Sequence, residues 1–342
     1  MKKNIIIAVI AVLLLAISGI GIWQYYRLFV SNFSSIDGEP YRLYVYPDES
    51  LEKVEKSLAE HYRIASPWSL HFHSRLMKFR HPKTGSYLLP AQASDAEVIR
   101  MLRNGEQTPV EVTFSRIRTR EQLAKRLSEQ LLLDSVDIIS RLEDTVYMGK
   151  YGLNKETAVT LFIPDTYELY WTISADALFQ RMEKEYNHFW NEQRVAKAKK
   201  IGLTKQEVAT LASIAESETN KDFEYPIIAG LYLNRLRKGM NLQACPTVIF
   251  AWQDFSMRRV LQKHLEIDSP YNTYKYKGLP PGPIRIPRAA TMDAVLNYTP
   301  SDYLFMCASA EFNGTHHFSS SYKAHAQYAR EYQAALNKRN IK

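Results

Sequence analysis

The sequence predicts an α+β protein with one membrane-spanning helix, a small α/β module, and a larger domain mixing helices with short strands. Three observations carry this expectation. An uncharged apolar run opens the chain, aromatic and β-branched segments then alternate with helical periodicities, and several helices are preceded by capping residues. The 342 residues suffice for about two domains with sizeable cores. With 46% hydrophobic and 23% charged residues, and only 13 Gly and 15 Pro, the chain is not disordered, collagen-like or low in complexity. Cys245 and Cys307 are too few for a disulfide scaffold and lack paired zinc-ligand spacing, and their spacing leaves open whether they bond to each other. A net charge of +8 over this length points to no particular polyanion.

From Asn4 to Tyr26 no residue is charged, and from Ile5 to Trp23 only Ser18 has a polar side chain. Nineteen residues at about 1.5 Å each span roughly 28 Å, close to a bilayer's hydrocarbon thickness. The rival reading, a cleaved signal peptide, calls for a shorter apolar stretch of about 7–15 residues and a small-x-small cleavage site. Trp23, Tyr25 and Tyr26 suit the interfacial belt, and Lys2 and Lys3 precede the run while only Arg27 closely follows it. The expectation is an uncleaved anchor with a cytoplasmic N-terminus and everything after residue 27 exported. Export argues against an intracellular nucleic-acid role.

The exported part reads as mixed α and β units. Tyr41–Tyr46 is expected as a strand turned by Pro47 and Asp48, and Leu51, Val54 and Leu58 recur at helical spacing. Gly85–Leu89 is a second strand. Ser94 and Glu97 stand at capping-box spacing, with Gly105 just past the helix they open. Val110–Phe114 is a strand, followed by a helix capped by Thr119 and Gln122 and by further helices through Gln193. Phe162–Tyr167 interrupts them, with Pro164 and Asp165 expected to turn the chain. The expected organisation is 1–3 as a cytoplasmic start, 4–26 as the membrane helix, 38–108 as the small module, 109–200 as a mostly helical intermediate region, and 201–342 as the domain carrying the chemistry.

In that last domain Thr204 and Glu207 form a capping box opening a helix to about Thr219. At 100° per residue, Val208, Leu211, Ala212 and Ala215 make a core-facing stripe within about 100°. Glu218 projects about 20° from Leu211 at the edge of that stripe, and Glu216 about 120° from its centre, toward solvent. A carboxyl beside an apolar face loses hydration, and the helix's negative C-terminal end acts in the same direction, so its pKa rises. A carboxyl that stays protonated near neutral pH is what a general acid requires. Downstream, Pro226 starts a helix ending near Lys238 with Gly239 as its cap. Tyr271-Asn272-Thr273-Tyr274 gathers rings that stack on sugar faces with amide and hydroxyl groups that hydrogen-bond them. The Pro/Gly run Gly278–Ile284 stiffens the adjoining loop.

The order Leu211–Thr219, then Asn234-Arg235-Leu236, Gly239-Met240, Leu242-Gln243 and Pro246-Thr247-Val248, then Tyr271–Tyr274 and Gly278–Ile284, resembles the endolytic murein transglycosylases of the MltG/YceG type. Phe162–Tyr167 looks like that family's proline-aspartate-threonine segment, and with the single membrane helix the resemblance covers nearly the whole chain. It implies a LysM-like module at 38–108 and a catalytic domain after it. The implied reaction opens the β-1,4 bond between N-acetylmuramic acid and N-acetylglucosamine within peptidoglycan strands, leaving a 1,6-anhydro end. One carboxyl first donates a proton to the glycosidic oxygen and then takes one from the sugar's C6 hydroxyl. The implied catalytic residue is Glu218. Glu216, Asn234, Gln243, Thr247, Tyr271, Asn272, Thr273, Tyr274, Pro281 and His316 are implied as supporting or substrate-binding residues, with His317 a spatial alternative to His316. Cys245 departs from the family, which usually has Asp before its proline-threonine-valine segment. No organic cofactor or metal is implied. Expected partners are peptidoglycan strands, the inner membrane through the one N-terminal helix, and membrane-bound wall synthases, with the catalytic domain periplasmic.

Three rivals stay open on the residues alone. A water-using muramidase needs a second acid, for which Asp222, Glu224, Asp254 and Asp268 are available. A non-catalytic wall-binding scaffold needs none. A metal hydrolase would draw on His316, His317, His325 and Glu311, which lack a metal-motif spacing.

Overall fold

The structure, a computed structural model, describes residues 2–257 and 259–339, so Met1 of the expected cytoplasmic start and residues 340–342 of the last domain lie outside the described residues. The apolar opening forms one helix, Lys2–Phe29, longer than the expected 4–26 because no helix breaker intervenes before Val30. It is the one helix among the described residues long and apolar enough to cross a membrane. The architecture is α+β and folds as two units. One comprises the residues up to 112 with 130–132 and 167–173; the other comprises 113–129, 133–166 and 174 onward. The region 109–200 is therefore divided between two cores rather than forming its own.

In the first unit Tyr41–Val45 pairs antiparallel with Gly85–Leu89, from Tyr41 opposite Leu89 to Val45 opposite Gly85. Leu43, Val45, Tyr87 and Leu89 are buried. Three short strands absent from the sequence reading make a second sheet, with Phe33–Ser35 between Tyr62–Ile64 and Gln92–Ala93. Strands of two or three residues carry no readable alternation, so long-range pairing alone reveals them. Because Phe33–Ser35 belongs to this sheet, the unit begins before residue 38. Helices Leu51–His61, Pro67–Leu76 and Asp95–Asn104 cover the sheets; Ser94 accepts from the amide of Glu97, and Gly105 closes the last helix at φ 74°. Trp171 packs edge-on against Tyr44 and Tyr46, at 5.0 Å from each. Beneath the surface, Asp95 accepts from Asn32 and Ser69 and faces Nδ1 of His73, a fully satisfied polar knot.

The second unit is mainly helical, and its axis is the helix Lys205–Glu218. Both halves of the Thr204–Glu207 capping box are present, at 3.2 and 2.7 Å. The helix packs against Glu192–Ile201, Tyr225–Arg237, Cys245–Trp252 and Ala289–Leu296. Burial is continuous from Val208 to Glu216 rather than confined to a stripe. Ala209, Ala212, Ser213 and Ala215 are small enough for neighbours to approach every face, which a single apolar periodicity does not express. Pro164 and Asp165 bend rather than turn the chain, leading directly into the strand Thr166–Leu169. A hairpin, Phe305–Ala308 with His316–Ser319, places Cys307 opposite His317.

Candidate active site

Glu216 and Glu218 leave the last turn of the Lys205–Glu218 helix in different directions. Glu216 is buried, not solvent-facing: its Oε2 accepts from the amide of Arg288 and the hydroxyl of Thr291, both at 2.8 Å, and Oε1 lies 3.2 Å from Arg285. The helix Ala289–Leu296 covers the face that an isolated amphipathic helix would leave wet. Glu218 accepts from the Tyr232 hydroxyl at 2.6 Å through Oε1, while Oε2 has no protein partner among the described residues. Burial pushes the Glu218 carboxyl above the usual glutamate range; the Tyr232 hydrogen bond and nearby His316 pull it partly back. Tyr232 is itself raised well above the usual phenol range by burial and by the Glu218 charge, so it stays a donor.

Glu218 opens onto a cleft of about 340 Å³ whose walls include Tyr232, Arg235, Gln243, Cys245, Tyr274 and His316. It is the one carboxylate among the lining residues. The helix Tyr225–Arg237 supplies Tyr232 and Arg235 from one face, three residues apart. Arg235 donates to Gln243 at 2.8 Å, and Gln243 adopts a left-handed φ of 54° as the chain turns out of the preceding loop. Cys245 Sγ lies 3.0 Å from the Tyr274 hydroxyl; burial and the Glu218 charge push its thiol up, and both cysteines are free. His316 comes from the hairpin. Its amide donates to Oε1 of Glu224 at 2.7 Å and its Nδ1 lies 3.0 Å from Oε2, which also accepts from Thr219. Glu224 is 1% exposed, so this contact fixes the imidazole from behind. His317 instead stacks on Tyr328 at 4.6 Å and does not line the cleft, whereas His316 and His325 do. No three His, Cys, Asp or Glu side chains cluster as a metal site among the described residues.

A family model described as the YceG-like family matches residues 43–331. The chain belongs to the YceG-like family. Two relatives are named endolytic murein transglycosylase. The Bacillus subtilis (strain 168) protein is 30% identical over 235 residues, 64% of each chain. The protein of Streptococcus pneumoniae serotype 2 is 30% identical over 172 residues, 49% of this chain and 28% of that one. The matched segments thus span less than two thirds of either relative's length. A crystal structure of a yceG-like protein from Listeria monocytogenes shares the fold at a TM-score of 0.57 and 26% identity, covering 84% of this chain and 98% of that one.

In this YceG-like chain the residues singled out from sequence fall into two groups. Glu218, Gln243, Tyr274 and His316 meet at the cleft. Cys245 and His325 line it too, and the other implied supporting residues do not. Asn272 is fully buried, donating to the carbonyls of Leu265 and Ile267. Thr273 and Thr247 bond each other at 2.8 Å and tie down Ala244, so these three polar side chains shape the loop instead of facing a ligand. Asn234 binds the carbonyls of Ser301 and Tyr303, Pro281 is exposed away from the cleft, and Tyr271 packs on Phe250 beside a different depression. Of the four alternative acids, Glu224 is committed to His316 and Thr219, Asp222 to Arg288, and Asp254 and Asp268 are bonded within their own loops. Sequence reasoning missed Tyr232 and Arg235 as cleft residues, and Glu224 as the support of His316. Tyr232 lies one i, i+3 step before Arg235 in a helix that reads as ordinary packing, so only the neighbouring Glu218 marks it.

Proposed function

We propose that this chain is a membrane-anchored endolytic transglycosylase that cleaves the β-1,4 bond between N-acetylmuramic acid and N-acetylglucosamine in peptidoglycan, leaving 1,6-anhydro ends. The observation that carries the reading is a cleft with one carboxylate, raised by burial and held by one hydroxyl. Protonated Glu218 donates to the bridging oxygen as the C1–O bond opens toward an oxocarbenium-like centre, so the leaving sugar gains a hydroxyl. The resulting carboxylate then removes the C6 hydroxyl proton as O6 bonds to C1, which restores the acid without water. Hydrolysis with a second acid needs a partner carboxylate about 5–10 Å away across the bond, and none faces the cleft among the described residues. Tyr232 fixes the carboxyl's orientation, and His316, braced by Glu224, offers an imidazole to substrate oxygens. Gln243 and Tyr274 supply an amide and a ring for the saccharide. Cys245, where the family usually has Asp, supplies no charge of that kind.

In the same reading the first unit is a LysM-like wall-binding module, the Lys2–Phe29 helix sits in the inner membrane with a cytoplasmic N-terminus, and the second unit works in the periplasm beside membrane-bound wall synthases on newly made strands. The relatives' names and the family match support peptidoglycan as the substrate, and the apolar helix supports a membrane anchor. The deciding experiment digests purified peptidoglycan with the full chain beside Glu218→Gln and weighs the products by mass spectrometry. Anhydro ends, one water lighter than reducing ends and absent with the variant, are expected. Reducing ends would make it a hydrolase, and unaltered strands a binding scaffold.

A further inference from the structure

A second cleft, of about 880 Å³, is lined by Arg116, Arg118, Arg285 and Arg288, with Glu216 and Asp222 as its acids. Its arginines come from two segments far apart in sequence that the fold pins together: the Ile286 amide donates to the Ile117 carbonyl at 2.8 Å. Ile117 and Ile286 are buried, Arg116 turns the chain at a left-handed φ of 57°, and Arg116, Arg118 and Arg285 all line the cleft, the Arg118 guanidinium lying 4.9 Å over the Phe255 ring. The acids present do not saturate these cations. Glu216 already accepts from the Arg288 amide and Thr291 besides facing Arg285, and Asp222 is committed to Arg288. Arg285 Nε is buried with no hydrogen-bond partner, and Arg116 makes no ion pair among the described residues. A buried donor without an acceptor is costly, and planar guanidinium groups match oxyanions two bonds at a time.

The cleft also has a route to the chemistry. A shallow groove around Thr219 and Lys221 shares Glu218 and His316 with the candidate active site and Asn220 with the arginine cleft. Glu216 and Glu218 leave the same helical turn, so the two sites are neighbours. A peptide stem attached to the sugar at Glu218 needs only about 3.3–3.6 Å per residue to reach along that groove. We infer that the arginine cleft is an oxyanion subsite that takes the free carboxylates of the peptide stem carried by the muramic acid next to the scissile bond. This rests on the transglycosylase reading and adds a specificity site to it: peptide-bearing strands are favoured over bare glycan.

The test uses the full chain in detergent with intact glycan strands and with the same strands stripped of stems by an amidase. Wild-type KM is expected to be about fivefold lower or better for intact strands, the scale of one or two partly buried ion pairs. Arg116→Gln/Arg118→Gln is expected to bring the ratio of the two KM values close to one, while Arg116→Lys/Arg118→Lys keeps most of the difference. A ratio that the Gln variant leaves unchanged overturns the subsite. Binding is read independently of cleavage by calorimetry, with a free stem tripeptide in one arm and inorganic pyrophosphate, mimicking a lipid carrier's phosphates, in the other. Tripeptide binding weakened about fivefold in the Gln variant supports the assignment. Pyrophosphate binding alone reassigns the arginines to a lipid-linked phosphate, and binding of neither overturns the site. If the tripeptide binds through these arginines but no anhydro product forms from either substrate, the activity reading fails while the anion site stands.

Discussion

A carboxyl with little water around it keeps its proton to higher pH than one in solution, and Glu218 is placed where water is scarce. Its raised pKa has a consequence for stability as well as for rate. The folded chain binds that proton more tightly than the unfolded chain, so the stability this gives is complete below the ordinary glutamate range. It is lost as pH rises through the elevated folded value. Glu218→Gln keeps a neutral acceptor for Tyr232. It should therefore melt at a higher temperature than wild type at neutral pH, with the gap closing in acid; parallel melting curves at both pH values would contradict the burial argument. The same variant is expected to lose about 10²–10⁴-fold in kcat, the range of a missing general acid. Tyr232→Phe tests the other half of the pair. Its hydroxyl favours the ionised carboxyl, so removing it should move the alkaline limb of the kcat/KM profile to higher pH, a shift that a merely structural tyrosine would not cause.

At the scale of elements, the Lys205–Glu218 helix and the Gly278–Ile284 loop hold the acid in register. Ser213 links them by accepting from the Ile284 amide at 3.0 Å. Gly282 has a further reason to be glycine, since a Cβ there would stand 2.2 Å from the Glu156 carbonyl oxygen. Gly282→Ala is expected to cost about 1–3 kcal/mol as the loop shifts, read as a drop in denaturant midpoint with lost activity. Thr204→Ala removes half of a complete capping box and should cost about 1 kcal/mol, read as a lower melting temperature with little change in kcat. The capping box was legible in the sequence because its two bonds join residues three apart. The three short strands around Phe33 were not, because each is defined by a partner about 30 or 60 residues away.

For the whole molecule, the proposed topology has a direct readout. The apolar Lys2–Phe29 helix should hold the full chain in the membrane fraction, and a chain lacking residues 2–29 should be released from it. Cys245 is exposed and free, so an impermeant maleimide should label it in intact spheroplasts if the second unit lies outside; labelling only after lysis would reverse the orientation. The division into two units was only partly readable. Residues 167–173 join the first core through Trp171 and its two tyrosines, a return of the chain that no composition shift signals.

The sequence by itself determined the long apolar N-terminal helix, the capped helices, the α+β class, the ordered motifs shared with the YceG-like family, and Glu218 as the candidate acid. All of these depend on residues close in the chain or on their order along it, and local periodicity and hydrogen bonding express such relations. Only the tertiary structure decided that Glu216 is buried against Arg285 and Thr291. It also decided that Asn272, Thr273 and Thr247 brace a loop, that Tyr232 and Glu224 support the site, and that two distant arginine segments share one cleft. The reason is physical: whether a polar side chain faces solvent, a ligand or another strand depends on what packs over it, and that neighbour is set by the fold rather than by spacing.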